Sequence, residues 1–239
     1  MTNSTLMNST PTNSTGARPA LTPLQKAFQR VRQIFRKSAE ARYLRHMERK
    51  LGGGARHSTL GTAIRDEAYT RGKAEDWAGR MIEYGLKPEH LCVEYGCGSL
   101  WAAEPIIRML DKNRFYGIDI TDQFYEVGRA RLADLVAEKE VRLGVIAPRV
   151  LREIAALKPD FIYSRKVLPH VPDDGLPRYL ANICSLMAPG TLAVLDNTPM
   201  FQEDGSITGR RHSVEAMRKH LPAGFTMEQG RWAALLRRA

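Results

Sequence analysis

Residues 91–101 have the sequence LCVEYGCGSLW, in which a short apolar run leads into Gly96-Cys97-Gly98 and then into a predicted helix. This order is typical of the first strand–loop–helix unit of an open α/β sheet, where ligands bind beyond the carboxyl ends of the strands. Glycines let the backbone approach a ligand closely, and free N–H groups at a helix start favour a carboxylate or phosphate. The segment therefore predicts a ligand-binding loop at residues 96–99.

Two kinds of ligand could occupy this loop. A dinucleotide favours Gly-x-Gly-x-x-Gly, in which the third glycine permits close packing of the helix on the strand. Here Trp101 stands at that third position, which disfavours a pyrophosphate. The alternative ligand carries a cationic ammonium group, which NAD lacks. Glu94, two residues before the first glycine, could accept a hydrogen bond from this ammonium group.

Predicted strands and helices alternate on both sides of this loop. The predicted strands are 91–95, 114–119, 141–146, 159–164 and 191–196, and the predicted helices are 74–84, 100–111, 122–138, 148–157, 174–187 and 213–220. Alternation implies parallel strands joined by right-handed crossovers, with helices on both faces of the sheet. Residues 225–237 predict a final antiparallel hairpin that turns at Gln229-Gly230. The expected fold is an α/β domain with a mostly parallel, seven-stranded sheet.

Four segments in this order resemble the motifs of class I S-adenosylmethionine (SAM)-dependent methyltransferases. They are the loop segment, the strand 115–121 (FYGIDIT) that ends in an acid, the fourth-strand segment 159–171 (PDFIYSRKVLPHV), and 186–192 (LMAPGTL) before the fifth strand. Each motif alone is common, and the order and spacing of the four together carry the resemblance. It covers roughly residues 75–200. It implies a Rossmann-like fold, SAM as the cofactor, and methyl transfer.

The resemblance also implies which residues bind SAM. Residues at the first motif would lie along its methionine part, an acid at the end of the second strand would accept both ribose hydroxyls, and the next residue would contact the adenine face. The implied cofactor-binding residues are Glu94, Gly96, Cys97, Gly98, Ser99, Asp119, Ile120, Ser164 and Arg165. Many members carry a glycine where Leu100 stands. The family's acid after the third strand is missing from 144–148 (GVIAP), so adenine must be held in another way.

Two histidines are the candidate catalytic bases. His170 follows the fourth predicted strand, and His212 follows a long loop, 197–209, that could act as a lid. Helix capping or packing is the alternative role for His170. Arg210 and Arg211 could bind an acidic substrate group or form a solvated turn, and Asp196 with Asn197 could orient an acceptor hydroxyl. No metal-binding set is expected.

The chain divides into three predicted sections. Residues 1–20 form a Ser/Thr/Asn-rich tail that is expected to be disordered, 21–73 a basic helical extension, and 74–239 the methyltransferase domain. Residues 1–50 carry +8 of the net charge of +10, so the body is nearly neutral and nucleic acid is not an expected partner. The helix predicted within 23–51 could bind an anionic membrane surface, pack on its own domain, or form a homodimer contact.

Composition excludes several other classes of protein. The chain has no apolar run of about 18 residues and no signal-peptide core, which predicts a cytoplasmic protein, with peripheral attachment at the inner membrane surface as a further option. The three cysteines Cys92, Cys97 and Cys184 form no CxxC pair, so neither a disulfide framework nor a zinc site is expected.

Three functions stay open at this point. The first is a methyltransferase that acts on a hydroxyl of a small molecule, a sugar or a lipid-linked glycan. No Asn-Pro-Pro-Tyr-like sequence follows the fourth strand, which argues against amino groups of DNA bases as acceptors. The second is a non-catalytic SAM-fold binding module, in line with the missing adenine acid. The third is a membrane or nucleic-acid adaptor that works through the basic N-terminal helix.

Overall fold

The structure is a computed structural model that describes residues 67–198, 200–201, 207–208 and 210–238, together with the helical residues 41, 42, 45 and 49. All of these belong to one compact unit, Ser38–Ala239. The predictions for the tail 1–20, for nearly all of the basic extension and for most of the 197–209 loop lie outside the described residues. Arg42 is an exception, because its guanidinium contacts both carboxylate oxygens of Asp174 at 2.8 and 2.6 Å.

A seven-stranded sheet forms the centre of the domain and confirms the predicted fold. Its strands are β1 (Cys92–Tyr95), β2 (Phe115–Asp119), β3 (Arg142–Val145), β4 (Phe161–Ser164), β5 (Leu192–Leu195), β8 (Phe225–Gln229) and β9 (Ala234–Arg238), while β6 (Met200–Phe201) and β7 (Ile207–Thr208) pair separately. The strand order is β3-β2-β1-β4-β5-β9-β8. Strands β1 to β5 are parallel, and β9 is antiparallel to both of its neighbours. The strand order therefore reverses between β1 and β4.

Helices cover both faces of this sheet. They are α1 (Glu67–Glu83), α2 (Ala103–Met109), α3 (Asp122–Arg131), α4 (Ala133–Glu138), α5 (Pro148–Ala156), α6 (Leu176–Leu186) and α7 (Val214–Arg218). The single helix predicted over 122–138 is wrong, because Leu132 has φ −109° and ψ 27°, outside the helical range, and separates α3 from α4. Within the described ranges, no helix has the length and apolar character needed to cross a membrane.

Alternation along the strands creates two cores. Val93 and Tyr95 face a core shared with α5, α6 and α7, whereas Cys92 lies in a core with α1 and α2. Strand register places one row of side chains across the α1 side of the sheet, in the order Leu143, Gly117, Glu94, Tyr163, Val194 and Leu235. Glu94 is the only charged residue of this row. A carboxylate therefore sits in the middle of an otherwise apolar layer.

Candidate functional site

The loop between β1 and α2 lies at the point where the strand order reverses. Gly96 and Gly98 have φ of +84° and +48°, which L side chains rarely adopt. A Cβ at Gly96 would lie 2.2 Å from Val167 Cγ2, so the loop and the segment after β4 approach too closely for any side chain. Leu100, where many family members carry glycine, has the same left-handed backbone with φ +60° and is fully buried.

The helix after this loop starts later than the sequence predicts. It was expected from residue 100 but begins at Ala103, because residues 99–102 form turns and the Leu100 N–H donates to the Cys97 carbonyl instead. Helix α2 has 7 residues. The backbone of the loop, and not the end of a long helix, therefore faces the crevice.

Asp119 ends β2 beside the glycine loop, as the second motif predicts. Its Oδ2 accepts from the Gly98 N–H and its Oδ1 from the Ile120 N–H, both at 2.7 Å. Burial raises the pKa of the carboxyl to about 6, although these two hydrogen bonds oppose the rise. Each carboxylate oxygen keeps a second lone pair, so Asp119 can still accept from ligand hydroxyls.

Glu94 is buried in the apolar row between sheet and helix. Burial raises its pKa to about 8, and the nearby Tyr163 hydroxyl and Arg165 guanidinium only partly oppose this effect. Although Tyr163 lies close, neither Glu94 Oε2 nor the Tyr163 hydroxyl completes a hydrogen bond with any described residue, and the same holds for Trp77 Nε1. Such an orphaned buried group costs about 1–3 kcal/mol. Three of them in neighbouring positions, with Glu94 two residues before the glycine loop, indicate a ligand site.

Helix α1 supplies a part of this site that sequence reasoning missed. The Trp77 ring lies 6.4 Å from the Tyr163 ring, and the Arg165 guanidinium lies 5.7 Å from the Trp77 centroid. Arg165 also donates to the Lys73 carbonyl oxygen at 3.1 Å. Burial lowers the pKa of Arg165, an effect that the negative charge of Glu94 opposes. No local motif marks Trp77, because the contact depends on how α1 docks on β4.

The remaining predicted cofactor-binding residues lie in or close to the loop, and most of them make contacts that hold it in place. The Ser164 hydroxyl donates to the Tyr95 carbonyl at 2.8 Å and joins the ends of β1 and β4. Cys97 is buried against Gly117, and burial raises the pKa of its thiol. Ser99 is buried, and its carbonyl packs so tightly on α3 that a Cβ at Gly128 would lie 2.3 Å from it. Ile120, directly after Asp119, is half-buried.

The two candidate bases lie in the segments that follow β4 and precede α7. His212 is buried, and its Nε2 lies 2.9 Å from the Val171 carbonyl oxygen. Because a carbonyl oxygen only accepts hydrogen bonds, Nε2 of His212 carries the proton and donates. The Nδ1 atom lies 3.9 Å from Asp173 Oδ1 and is the ring nitrogen that could accept a proton. His170 is half-buried in a 3₁₀ turn after β4. Arg210 N–H donates to the Pro169 carbonyl at 3.0 Å, so the two segments are joined.

Asp196, directly after β5, is a buried carboxylate with one of its two oxygens hydrogen-bonded. Its Oδ1 accepts from the N–H of Thr198 at 3.1 Å and from the hydroxyl of the same residue. The only described partner of Oδ2 is Lys166 Nζ, at 3.9 Å, which is too long for a hydrogen bond. Lys166 has φ +57°, an uncommon conformation for a side-chain-bearing residue. The described residues contain no group of three His, Cys, Asp or Glu that could hold a metal ion.

Comparisons with known proteins agree with this architecture. A family model described as a methyltransferase domain matches residues 64–229. The fold is similar to that of magnesium protoporphyrin IX methyltransferase from Synechocystis PCC 6803 with bound S-adenosylhomocysteine (TM-score 0.52, 17% identity, 70% of this chain and 83% of that chain). It is also similar to the pyocyanin biosynthetic protein PhzM (TM-score 0.52, 18% identity, 70% of this chain and 56% of that chain).

A comparison with curated protein sequences finds no significant match. Identities of 17% and 18% to solved structures show the fold alone. The family match carries more weight, because it spans well over half of the chain and includes the glycine loop, Asp119 and the ends of β4 and β5. The chain belongs to the class I SAM-dependent methyltransferases.

Proposed function

We propose that this chain transfers the methyl group of SAM to a hydroxyl of a small molecule, a sugar or a lipid-linked glycan. The observation that carries the proposal is the orphaned polar set beside the glycine loop: Glu94 Oε2, the Tyr163 hydroxyl and Trp77 Nε1. A cationic ammonium group next to Glu94 would satisfy the carboxylate and favour its ionised form. The phosphates of a dinucleotide offer no such group.

The residues present fit SAM. Glu94 would hold the methionine ammonium, Asp119 would accept from the ribose hydroxyls, and the backbone of residues 96–99 would allow close approach. When bound, SAM supplies a methyl group that its sulfonium already activates. The chain itself must orient the acceptor, exclude water and take up the acceptor's proton.

Asp196 is the group best placed to receive that proton. Strands β1, β4 and β5 are neighbours about 5 Å apart, so the ends of β1 and β5 are roughly 10 Å apart. The Oδ2 atom has no hydrogen bond to a described residue and can therefore accept the hydroxyl. Lys166 Nζ stands beside the same oxygen.

His170 and His212 are the alternative bases. The Nε2 of His212 already donates to Val171, so only Nδ1 can exchange a proton with an acceptor. His170 lies after the same strand as Arg165 and Lys166, which places it near the carboxyl edge of the sheet. The proposal ranks Asp196 ahead of both histidines because it combines burial with an unbonded oxygen.

The cofactor part of the proposal is tested by calorimetric titration with S-adenosylhomocysteine. Wild type, Glu94→Gln and Asp119→Ala are compared, with Glu126→Gln as a matched control, because Glu126 is a half-exposed acid that pairs with Arg129 on α3. We expect binding by wild type and control, and a loss of roughly tenfold or more in each site variant. A well-folded wild type that does not bind would overturn the proposal.

The acceptor part is tested by incubating the protein with SAM labelled in its methyl group and a panel of hydroxyl-bearing acceptors. The panel contains phenols, sugars and polyprenyl-linked glycans. Asp196→Asn should bind S-adenosylhomocysteine like wild type but transfer the label far more slowly. An unchanged rate in Asp196→Asn would refute Asp196 as the general base and leave His170 as the candidate.

A further inference from the structure

The turn between β8 and β9 returns to the edge of the sheet that carries the site. Strand β9 runs antiparallel to β5, with Leu195 opposite Ala234, so residues 230–233 lie beside Asp196 and Asn197. Asn197 Nδ2 donates to Gln229 Oε1 at 2.9 Å, which confirms that the two segments touch. The acceptor side of the crevice is therefore bounded by this turn.

Two arginines contact the indole of Trp232 in that turn. Arg231 lies 4.6 Å and Arg80 of α1 lies 5.4 Å from the ring centroid. Tyr84 meets the same ring edge-on at 5.7 Å, and its hydroxyl accepts from the backbone N–H of Trp232 at 3.0 Å. The turn is thus packed on the end of α1, with the two guanidinium groups beside the Trp232 ring.

Helix α1 links this cluster to the cofactor side. Arg80 lies three residues after Trp77 and is therefore on the same helix face. The Arg165 guanidinium lies 5.7 Å from the centroid of the Trp77 ring. Besides burial, the positive charge of Arg80 contributes to lowering the pKa of Arg165, so the two guanidinium groups interact electrostatically. Cation–π contacts therefore connect three arginines and two tryptophans from β4 to the β8–β9 turn, with Trp77 buried at the inner end; this set is here called the arginine rim (Arg80, Arg165, Arg231, Trp77 and Trp232).

Negative charge along this rim is scarce among the residues that the structure describes. Arg80 approaches Asp76 at 3.8 Å, but that carboxylate is 61% exposed and the pair is weak. Arg165 and Arg231 make no ion pair with a described residue. Burial lowers the pKa of Arg165 and the nearby charges of Glu94 and Asp196 oppose this effect, so the poorly balanced positive charge of the rim lies at Arg80 and Arg231. Like charges this close repel one another unless an anion joins them.

We infer that the arginine rim binds an anionic group, a carboxylate or a phosphate, carried by the methyl acceptor. A guanidinium stacked on an indole keeps its in-plane N–H donors free, and these match carboxylate and phosphate oxygens in pairs. The half-buried indole of Trp232 beside them favours a flat or apolar portion next to the anion. This inference rests on the proposed function, because it names the chemical class of its acceptor.

The test is a titration with phenyl phosphate, with phenyl β-glucoside as the neutral probe, followed by tryptophan fluorescence. It compares wild type with Arg80→Gln/Arg231→Gln, and Arg129→Gln on α3 is the matched control. We expect phenyl phosphate to bind wild type and control, with a loss of about tenfold or more in the double variant and no change in S-adenosylhomocysteine affinity. Arg165 is left intact because it belongs to the cofactor site.

Equal affinity for phenyl phosphate and phenyl glucoside, or equal affinity in wild type and the double variant, would refute the inference. A second arm uses vesicles with and without phosphatidylglycerol. Vesicle binding that the double variant loses would place the anionic group on a lipid, whereas binding of phenyl phosphate alone would place it on a soluble acceptor. Failure of the proposed function is seen separately, as absent binding of S-adenosylhomocysteine by wild type.

Discussion

Replacing Glu94 with glutamine should stabilise the ligand-free protein while it weakens the cofactor site. The Glu94 carboxyl has its pKa raised from 4.5 to about 8 because it is buried. Below pH 4.5 the folded and unfolded states both hold the proton, and no free energy is lost. As the pH rises from 4.5 to 8, the unfolded chain releases this proton but the folded chain retains it, so stability falls.

The size of this effect follows from the pKa difference. One pKa unit corresponds to 1.36 kcal/mol, so the free energy of unfolding should fall by about 3–4 kcal/mol between pH 5 and pH 8 because of Glu94 alone. Glutamine has the same shape and does not titrate. The stability of Glu94→Gln relative to wild type should therefore increase by the same amount over this pH range. Asp119, whose pKa burial raises to about 6, is present in both proteins, and its charge also contributes to the raised pKa of Glu94.

Urea unfolding at pH 5, 6, 7 and 8 measures the effect without any ligand. Glu126→Gln, which alters an acid on the outer surface of α3, is the matched control for the removal of one carboxylate. S-adenosylhomocysteine affinity is measured in parallel and should fall in Glu94→Gln. A difference between Glu94→Gln and wild type that does not change with pH would refute the reasoning, because it would mean that Glu94 titrates alike in both states.

Three further changes test the loop and its supports. Asp119→Ala removes the acceptor of two backbone N–H groups, so we expect about 1–3 kcal/mol lower stability in urea and at least a tenfold loss of S-adenosylhomocysteine affinity by calorimetry. Gly96→Ala should destabilise by about 2–4 kcal/mol, because its Cβ would collide with Val167 and its φ is +84°. Adding Val167→Ala should restore the part of the stability that the collision with Val167 removes. If no stability is restored, the whole loss comes from the strained backbone at residue 96. His212→Ala should lower stability by about 1–2 kcal/mol through loss of the bond to Val171, with S-adenosylhomocysteine affinity intact, and a lost affinity would contradict this account.

Local patterns in the sequence predicted most of the sheet. Strand-like apolar runs, the Gly-x-Gly loop and the acid at Asp119 are short-range signals, since backbone conformation and alternation depend on neighbouring residues. The five parallel strands and the final hairpin accordingly lie where they were expected. The break at Leu132 and the late start of α2 were missed because each depends on packing against other elements rather than on propensity.

The chemistry of the site was less accessible from the sequence. Glu94, Asp119 and the glycine loop could be named in advance because they lie near the ends of strands or directly after them. Trp77, Tyr163 and the cluster of Arg80, Arg231 and Trp232 could not, since they come from elements far apart in the chain that strand register and the docking of α1 bring together. Local sequence thus determined which segments form strands and where the glycine loop lies. Only tertiary packing decided which buried polar groups lack a partner, because hydrogen-bond satisfaction is a property of the whole fold.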